Sequence, residues 1–211
     1  MNQDPILIIT GGDDAPPTRP LPQARFVIAA DSGLDLATRL ALTVDVIVGD
    51  FDSADSDAVG QAVAGGASLE RHSPDKDASD LELALDHART LGGGTVIVIG
   101  GARGDRLDHL LATAGLLGSN RFEDLAIEWW SGSSRAVVTR GTISIDGKTG
   151  DIVSIVPAGG PVTVSIVGVR WPLDGVTLPH GSTTGISNEI TAPPAVITVT
   201  TGTAFVLHEG K

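Results

Sequence analysis

The sequence of 211 residues has no cysteine and no tyrosine, and only 3% of its residues are aromatic. The lack of cysteine excludes disulfides and thiolate metal sites. The scarcity of aromatic rings disfavours a groove in which single-stranded bases stack. No run of eighteen apolar residues is present, so we expect no membrane-spanning segment. The first ten residues lack a basic signal-peptide region and lead into a predicted strand, which favours the cytoplasm.

Basic residues are also few. The chain has 14 Lys and Arg against 26 Asp and Glu, which gives a formal net charge of −12. This balance argues against nucleic acid and anionic membrane surfaces as partners, because both bind clustered basic side chains. An acidic protein that binds a nucleotide needs a metal ion or a few well-placed cations to offset its own field. With 41% hydrophobic residues, the chain can bury a core and suits one large or two small domains.

The first half of the chain alternates strand-like and helix-like segments. Strands are predicted near residues 6–9, 26–30, 45–48, 67–70 and 95–99. Such alternation, with nearly continuous apolar strands, predicts a parallel sheet covered on both faces. Ligands bind at the carboxyl ends of such strands. The Gly- and Asp-rich segments that follow the strands should therefore collect along one edge of the sheet.

The second half is β-rich and shows no helical period. Its predicted strands lie at residues 125–130, 135–140, 142–145, 152–156, 162–167, 196–200 and 204–208. Gly, Pro and Asp residues lie between these short segments. The pattern predicts an antiparallel sandwich or barrel-like domain, with the boundary between the halves at residues 118–125.

Residues 46–53 contain an apolar, β-branched run that ends at Gly49 and is followed by Asp50 and Asp52. Residues two apart in an extended chain point the same way, so the two carboxylates can face a common point. Ionised carboxylates repel unless a cation lies between them, and Mg²⁺, which shares oxygen ligands with phosphates, suits that position. The alternative is a strand that ends in a polar turn, because Gly, Asp and Ser are ordinary turn residues.

Two further aspartates are candidates for the same edge. Asp31 follows the second predicted strand, where the alternative is a turn residue. Asp80 follows Ser79 at the start of a predicted helix. Here the alternative is simple capping by Asp77 or Ser79, with an acid in the first turn that suits the helix dipole. A helix that begins at the sheet edge would bring Asp80 to the other aspartates.

The glycine-rich segment at residues 100–104, which includes Gly101, can cradle a phosphate, because glycines permit close approach and helix amides point at the anion. It matches neither the Walker A pattern nor the dinucleotide fingerprint. Arg106 can clamp a phosphate bidentately, and Asp108 can hold a metal ion, a ribose hydroxyl or Arg106 itself. For His109, a capping or partly buried position competes with direct chemistry.

The β-rich half offers fewer candidates. By composition, residues 185–189 form a turn, with ligand binding as the alternative. Trp171 and the pair Trp129 and Trp130 are interpreted as core or interface anchors, and only one of the pair can face inward. Together, the converging acids and the Gly/Arg loop predict a Mg²⁺–nucleotide site and phosphoryl or nucleotidyl transfer. Residue chemistry alone does not name the acceptor.

In this order, the motifs resemble those of the thiamine pyrophosphokinase family, enzymes that make thiamine diphosphate from thiamine and ATP and release AMP. The matching segments are ADSG at 30–33, GDFDS at 49–53, DKDASD at 75–80, GDRLDH at 104–109 and SNE at 187–189. The resemblance implies a Rossmann-like, ATP-binding catalytic domain with a parallel sheet over residues 1–122. It implies an antiparallel β-sandwich domain that binds thiamine over residues 123–211, and a homodimer with thiamine at the subunit interface.

The resemblance also implies roles for individual residues. Four carboxylates would bind the metal of Mg²⁺–ATP: Asp31, Asp50, Asp52 and Asp80. All but Asp31 would also be catalytic. Contacts to the nucleotide would come from Asp31, Gly101, Arg106, Asp108 and His109. Lys76 would lie near the transferred phosphates or the pyrimidine, and Ser187 and Asn188 would form part of the thiamine pocket.

Three positions depart from the family pattern. Ser32 and Asp105 stand where the family usually has glycine, and Ser79 stands where it usually has threonine. Serine keeps the hydroxyl of threonine, so that change is mild. Asp105 places an acid beside a phosphate loop, which leaves the geometry of the loop and the role of Arg103 open.

The implied mechanism is in-line attack of thiamine's hydroxyl on the β-phosphorus of ATP, with AMP leaving and Mg²⁺ bridging phosphate oxygens. Asp80 is the candidate acceptor of the hydroxyl proton. One alternative is pyrophosphoryl transfer to another hydroxymethyl heterocycle, such as a pterin, although the segment at 187–189 favours thiamine. A second alternative is a catalytically silent nucleotide-binding regulator, which would not require so many converging acids.

Overall fold

The computed structural model describes residues 4–12, 15–50, 56–73, 75–102 and 106–210. The chain divides into two compact units. The first unit consists of Met1–Thr113 and Asp124–Gly132, and the second consists of Ala114–Glu123 and Ser133–Lys211. Within the described ranges, no helix has both the length and the apolar content needed to cross a bilayer.

The first unit is built on a parallel sheet. In chain order its strands are β1 (Ile6–Thr10), β2 (Phe26–Ala30), β3 (Val46–Gly49), β4 (Ser68–Arg71), β5 (Gly94–Ile99) and β6 (Leu125–Ser131). They lie in the order β6-β5-β1-β2-β3-β4, and neighbouring strands are parallel. The chain adds β2, β3 and β4 on one side of β1, then crosses to add β5 on the other. The carboxyl ends of β1 and β5 therefore flank a topological switch point, where open parallel sheets bind ligands.

Helices alternate with these strands along the chain. They are α1 (Gly33–Arg39), α2 (Ser56–Ala64), α3 (Asp80–Thr90) and α4 (Leu107–Gly118), the last of which continues into the second unit. The α3 helix packs against β1, β2 and β3 through a buried stripe at helical spacing, which consists of Leu81, Ala84, Leu85 and Ala88. In β1, Ile6–Ile9 are fully buried, because helices lie on both faces of a central parallel strand. Each such side chain contributes about 1.5–3 kcal/mol relative to an exposed one.

The second unit contains antiparallel strands and a short 3₁₀ helix at Asn120–Phe122. Its strands are β7 (Ser134–Thr139), β8 (Thr142–Ile145), β9 (Ile152–Pro157), β10 (Val162–Val167), β11 (Leu173–Leu178), β12 (Asn188–Glu189), β13 (Ala195–Thr201) and β14 (Ala204–Glu209). One group has the order β12-β9-β14-β7 and the other β11-β10-β13-β8. Side chains from both groups, such as Val153 and Val164, share one buried core. Burial alternates along β9 and β10, as expected for sheets that pack through one face.

The predicted mixed α/β architecture, with a mainly parallel sheet and an antiparallel one, is confirmed. One strand differs from expectation. We predicted residues 125–130 as part of the antiparallel half, but β6 pairs in parallel with β5. Its sequence, LAIEWWS, is rich in apolar and aromatic residues that suit a strand of either direction, so composition alone did not reveal the parallel pairing. The strand β11 was not predicted, because most of it is exposed and includes Asp174 and Gly175. The proposed domain boundary after residue 122 stays a prediction.

Candidate active site

A cavity of about 780 Å³ opens within the first unit, where β1, β2, β3 and β5 end. The segments that follow these strands line it, together with the start of α3 and the first turns of α4. Its polar and charged lining side chains are Thr10, Asp31, Ser32, Asp50, Lys76, Ser79, Asp80, Arg106, His109 and Thr113. A cleft of this volume lies in the usual range for small-molecule sites, about 300–1,000 Å³.

Three of the predicted carboxylates, those of Asp31, Asp50 and Asp80, line this cavity. Gly49 permits their close approach. A Cβ atom built on Gly49 would lie 3.3 Å from Asp80 Oδ1 and 3.3 Å from the Cα of Asp31. The backbone of Asp31 is in the left-handed region, with φ of 47°, and its N–H donates a hydrogen bond to the carbonyl oxygen of Val48 at 2.9 Å. This turn directs the chain from the end of β2 past the end of β3.

A lysine ammonium lies between two of these carboxylates. Lys76 Nζ is 3.3 Å from Asp50 Oδ2 and 3.0 Å from Asp80 Oδ1. The three side chains are only 14%, 15% and 25% exposed, in the order Lys76, Asp50 and Asp80. Burial acts to lower the pKa of Lys76, but the hydrogen bonds and charges of Asp80 and Asp50 outweigh it, and the pKa is raised. The ammonium of Lys76 thus offsets the charge of Asp50 and Asp80, whereas the predicted Asp50 and Asp52 pair is not tested, because Asp52 lies outside the described residues.

The start of α3 positions Asp80. Ser79 is the N-cap residue in an extended conformation, and its Oγ accepts a hydrogen bond from the backbone N–H of Glu82 at 3.2 Å. The capping alternative thus holds for Ser79, and its hydroxyl makes this threonine-to-serine departure conservative. Because Asp80 is the first residue of the helix, the cap places its carboxylate in the cavity as well.

The loop after β5 depends on its glycines. Gly100 has φ of 97°, and a Cβ atom there would lie 2.6 Å from the carbonyl oxygen of Thr10. Gly101, with φ of 72°, lines the cavity. The indole Nε1 of Trp129 donates a hydrogen bond to the Gly100 carbonyl oxygen at 2.7 Å, and the Gly100 N–H donates to the carbonyl oxygen of Trp130 at 3.0 Å. The strand β6 therefore fixes the glycine loop.

At the start of α4, Arg106 and Asp108 form a bidentate pair. Arg106 Nε lies 3.0 Å from Asp108 Oδ1, and Nη2 lies 2.7 Å from Oδ2. The hydrogen bond from Arg106 lowers the pKa of Asp108 to about 2. Arg106 and His109 line the cavity, whereas Asp108 is not among its lining residues. Of the three partners that we considered for Asp108, the structure shows Arg106.

Ser187 and Asn188 lie in the second unit. Ser187 has φ of 60°, and its N–H donates a hydrogen bond to Ser154 Oγ at 2.9 Å. The buried side chain of Asn188 binds the backbone of Trp171, with Oδ1 accepting from the N–H at 3.0 Å and Nδ2 donating to the carbonyl oxygen at 2.7 Å. The indole of Trp171 is 55% exposed, and the guanidinium of Arg170 lies 4.9 Å from its ring centre. The amide of Asn188 thus supports an exposed aromatic side chain.

Two family models match the chain in succession. Residues 18–129 match the catalytic domain of thiamin pyrophosphokinase, and residues 141–206 match its vitamin B1 binding domain. The chain belongs to the thiamin pyrophosphokinase family. The predicted family is confirmed, and with it the predicted activity, ATP-dependent pyrophosphorylation of thiamine.

Solved structures of this family share the fold. A thiamin pyrophosphokinase family protein from Enterococcus faecalis is 20% identical, with a TM-score of 0.83, and the match covers 99% of this chain and 100% of that one. Thiamine pyrophosphokinase from Bacillus subtilis is 21% identical, with a TM-score of 0.82 and coverage of 99% and 100%. The Candida albicans thiamin pyrophosphokinase is 14% identical, with a TM-score of 0.75 and coverage of 99% and 90%. A search of curated proteins found no match.

Several predicted residues of the family site lie outside the described part of the chain. These are Asp52, Arg103 and Asp105, with the neighbouring residues of their motifs. Among the described residues, no group of three or more His, Cys, Asp or Glu side chains is arranged to hold a metal ion. The four-aspartate metal site therefore stays a prediction.

The cavity also includes residues that we did not select from the sequence. Thr10, Gly11 and Gly12 follow β1 and line it. Their position directly after a strand, in the same Gly-rich pattern as residues 100–104, was the available signal. Ser32 lines the cavity too, and its side chain makes no capping hydrogen bond to α1. A Cβ atom on Gly11 would lie 2.0 Å from Ser32 Oγ. The absence of a side chain at Gly11 therefore leaves room for Ser32, which stands where the family usually has glycine.

Proposed function

We propose that ATP binds in the cavity of the first unit and that its pyrophosphoryl group passes there to thiamine, giving thiamine diphosphate and AMP. The observation that carries the assignment is the convergence of Asp31, Asp50 and Asp80 with Lys76 at the ends of parallel strands. Arg106 and the glycine loop open on the same space. Acids and cations together suit a site where a charged phosphate chain and its counterions must both be held.

The donor set is suited to Mg²⁺. Carboxylate oxygens are the ligands that this hard cation prefers, and Mg²⁺ is usually held by one or two carboxylates together with substrate phosphates. Asp31, Asp50 and Asp80 would supply those carboxylates, with Asp52 as the predicted fourth. When bound, Mg²⁺ would neutralise charge that develops on the phosphate oxygens. Because the substrate phosphates supply some of the metal ligands, the protein need not supply all of them.

The chain's own groups would do the positioning. The backbone at Gly101 approaches the phosphates closely, because no side chain intervenes. Arg106 offers a planar guanidinium to a phosphate, and Asp108 orients it. His109 would contact the nucleotide from the same turn of α4. Asp80, near the attacking hydroxyl of thiamine, would accept its proton while the β-phosphorus is attacked in line and AMP leaves.

The thiamine pocket is proposed to involve Ser187 and Asn188 in the β-sandwich domain of residues 123–211. The contacts of Asn188 suggest that it acts through Trp171, whose exposed indole offers a face to a cationic thiazolium ring. We propose a homodimer with thiamine at the subunit interface, in which Trp171 and Ile186, 55% and 46% exposed, would be covered. Light scattering at several protein concentrations tests the homodimer.

One assay separates the proposed activity from its alternatives. The protein is incubated with Mg²⁺–ATP and either thiamine or a hydroxymethylpterin, and AMP is measured. We expect AMP with thiamine only. AMP with the pterin only would favour the related pyrophosphokinase, and no AMP with either would favour the nucleotide-binding regulator. Asp50→Asn serves as the inactive control, because it keeps the size of the side chain and removes its charge.

A further inference from the structure

The position of Lys76 has a consequence beyond substrate binding. Its ammonium lies 3.3 Å from Asp50 Oδ2 and 3.0 Å from Asp80 Oδ1, and so pairs with both carboxylates. At 14% exposure, the lysine side chain is largely withdrawn from water. The ammonium therefore occupies the place where a metal ion shared by Asp50 and Asp80 would have to bind.

A divalent cation and an ammonium cannot both occupy that place. Two like charges within a few ångströms repel strongly in a partly buried site. For a metal ion to bind both carboxylates, Lys76 must give up its contacts with them, and a buried ammonium without an anionic partner is costly. The phosphates of a nucleotide offer such a partner. The flexible four-carbon stem of lysine allows the ammonium to move by several ångströms without a change in the backbone.

We propose that Lys76 is a resident counter-cation that keeps Asp50 and Asp80 together and excludes a free divalent cation until a nucleotide's phosphates draw the ammonium away. Metal and nucleotide then bind together rather than in succession. This inference rests on the proposed function, because it takes Asp50 and Asp80 as metal ligands and the cavity as the nucleotide site. It adds a role for Lys76 in the protein before the nucleotide binds.

The test measures Mn²⁺ binding by calorimetry in the nucleotide-free protein and again with a non-hydrolysable ATP analogue. The variants are Lys76→Met, Lys76→Arg and, as a matched control, Lys148→Met, which removes an exposed lysine of the second unit. Without nucleotide, we expect Lys76→Met to bind Mn²⁺ at least about tenfold more tightly than the wild type. Lys76→Arg and Lys148→Met should stay near the wild-type affinity, because the first keeps the charge and the second changes a residue that is not part of the cavity lining. Lys76→Gln replaces Lys76→Met if circular dichroism shows that the methionine variant is unfolded.

A second readout uses the unmodified protein, which has three lysines. With ¹³Cε-labelled lysine, the Lys76 resonance should stay in place when Mg²⁺ alone is added. It should shift when Mg²⁺ and the ATP analogue are added together. The resonance of Lys148, assigned from Lys148→Met, should move in neither case.

The outcomes separate the two proposals. Equal Mn²⁺ affinities of the nucleotide-free wild type and Lys76→Met, or a Lys76 resonance that shifts with Mg²⁺ alone, would overturn the role of Lys76. If the wild type still binds Mn²⁺ with the analogue, the proposed function survives that result. Absence of Mn²⁺ binding in every variant, even with the analogue, would overturn both.

Discussion

Asn188 and Trp171 are joined by two hydrogen bonds, from the Trp171 N–H to Asn188 Oδ1 at 3.0 Å and from Asn188 Nδ2 to the Trp171 carbonyl oxygen at 2.7 Å. The same Oδ1 accepts the backbone N–H of Glu189 at 3.0 Å. The amide is 8% exposed and uses both its donor and its acceptor on backbone groups. A residue that the family resemblance assigns to thiamine thus has a demonstrable structural partner in the second unit.

Asn188→Ala should lower the free energy of unfolding by about 1–3 kcal/mol, because backbone groups of Trp171 and Glu189 lose their buried partner. If Asn188 acts through Trp171, the KM for thiamine should rise more than the KM for ATP. Urea unfolding and steady-state kinetics measure the two effects. Asn188→Asp is the matched variant, which keeps an acceptor for the N–H groups and loses the donor to the carbonyl. An Asn188→Ala variant as stable as the wild type would contradict a stabilising role for these hydrogen bonds.

Gly11 and Ser32 should be coupled in a double-mutant cycle. Gly11→Ala places a Cβ atom 2.0 Å from Ser32 Oγ, and we expect a loss of about 1–3 kcal/mol in the free energy of unfolding. Ser32→Gly should remove most of that loss, because it removes the hydroxyl that the new methyl group would meet. Thermal or urea unfolding of the two single variants and the double variant gives the coupling. Additive losses would show that the two side chains do not compete for space.

The backbone conformation of Asp31 predicts different stabilities for two substitutions at this position. Its φ of 47° lies in the left-handed region, which Asn and Asp tolerate and β-branched residues do not. Asp31→Val should therefore be less stable than Asp31→Asn by about 1–2 kcal/mol. Both variants should lose thiamine pyrophosphorylation, since both lack the carboxylate. If the Val and Asn variants unfold at the same urea concentration, the strain argument is wrong. An Asn variant with unchanged activity would remove Asp31 from the site.

Some of these features could be predicted from sequence and some could not. The strands β8 and β10 occur at the residues predicted, because their apolar side chains alternate and turn residues bound them. The shared location of Asp31, Asp50 and Asp80 followed from topology, since carboxyl ends of parallel strands meet at one edge. Their individual roles stay predictions.

Several contacts made by single side chains were beyond sequence reasoning. Lys76 and Asp50 are 26 residues apart, and their meeting depends on where the segment before α3 crosses the end of β3. The bond from Trp129 to Gly100 needed the parallel pairing of β5 with β6, which composition did not reveal. The apolar spacing of residues 34–42 extends beyond α1, which ends at Arg39, because Ala41 adopts a left-handed φ of 53°. Leu40, the C-cap residue of α1, and Leu42 continue the apolar pattern by packing on the core beyond the last helical residue.

The pair formed by Arg106 and Asp108 makes a prediction about pH. In the folded protein, Arg106 lowers the pKa of Asp108 from its ordinary 3.8 to about 2. Arg106→Ala should return it toward 3.8, so that between about pH 2 and 3.8 the carboxyl is mostly protonated in the variant and mostly ionised in the wild type. A carboxyl whose pKa is lower in the folded than in the unfolded state stabilises the fold at pH values above the unfolded pKa. That contribution is lost as the pH falls through the folded pKa, here about 2.

Because the two side chains are 67% and 65% exposed, we expect little effect of Arg106→Ala on stability at neutral pH. The ¹³Cγ chemical shift of Asp108, followed from pH 7 to 2, measures the pKa directly. Arg170→Ala, which removes the arginine 3.6 Å from Glu189 in the second unit, is the control and should leave this titration unchanged. The activity of Arg106→Ala should fall through a higher KM for ATP, since the guanidinium is proposed to hold a phosphate. An Asp108 pKa that stays near 2 in Arg106→Ala would show that another group, and not this arginine, holds the carboxylate in its ionised form.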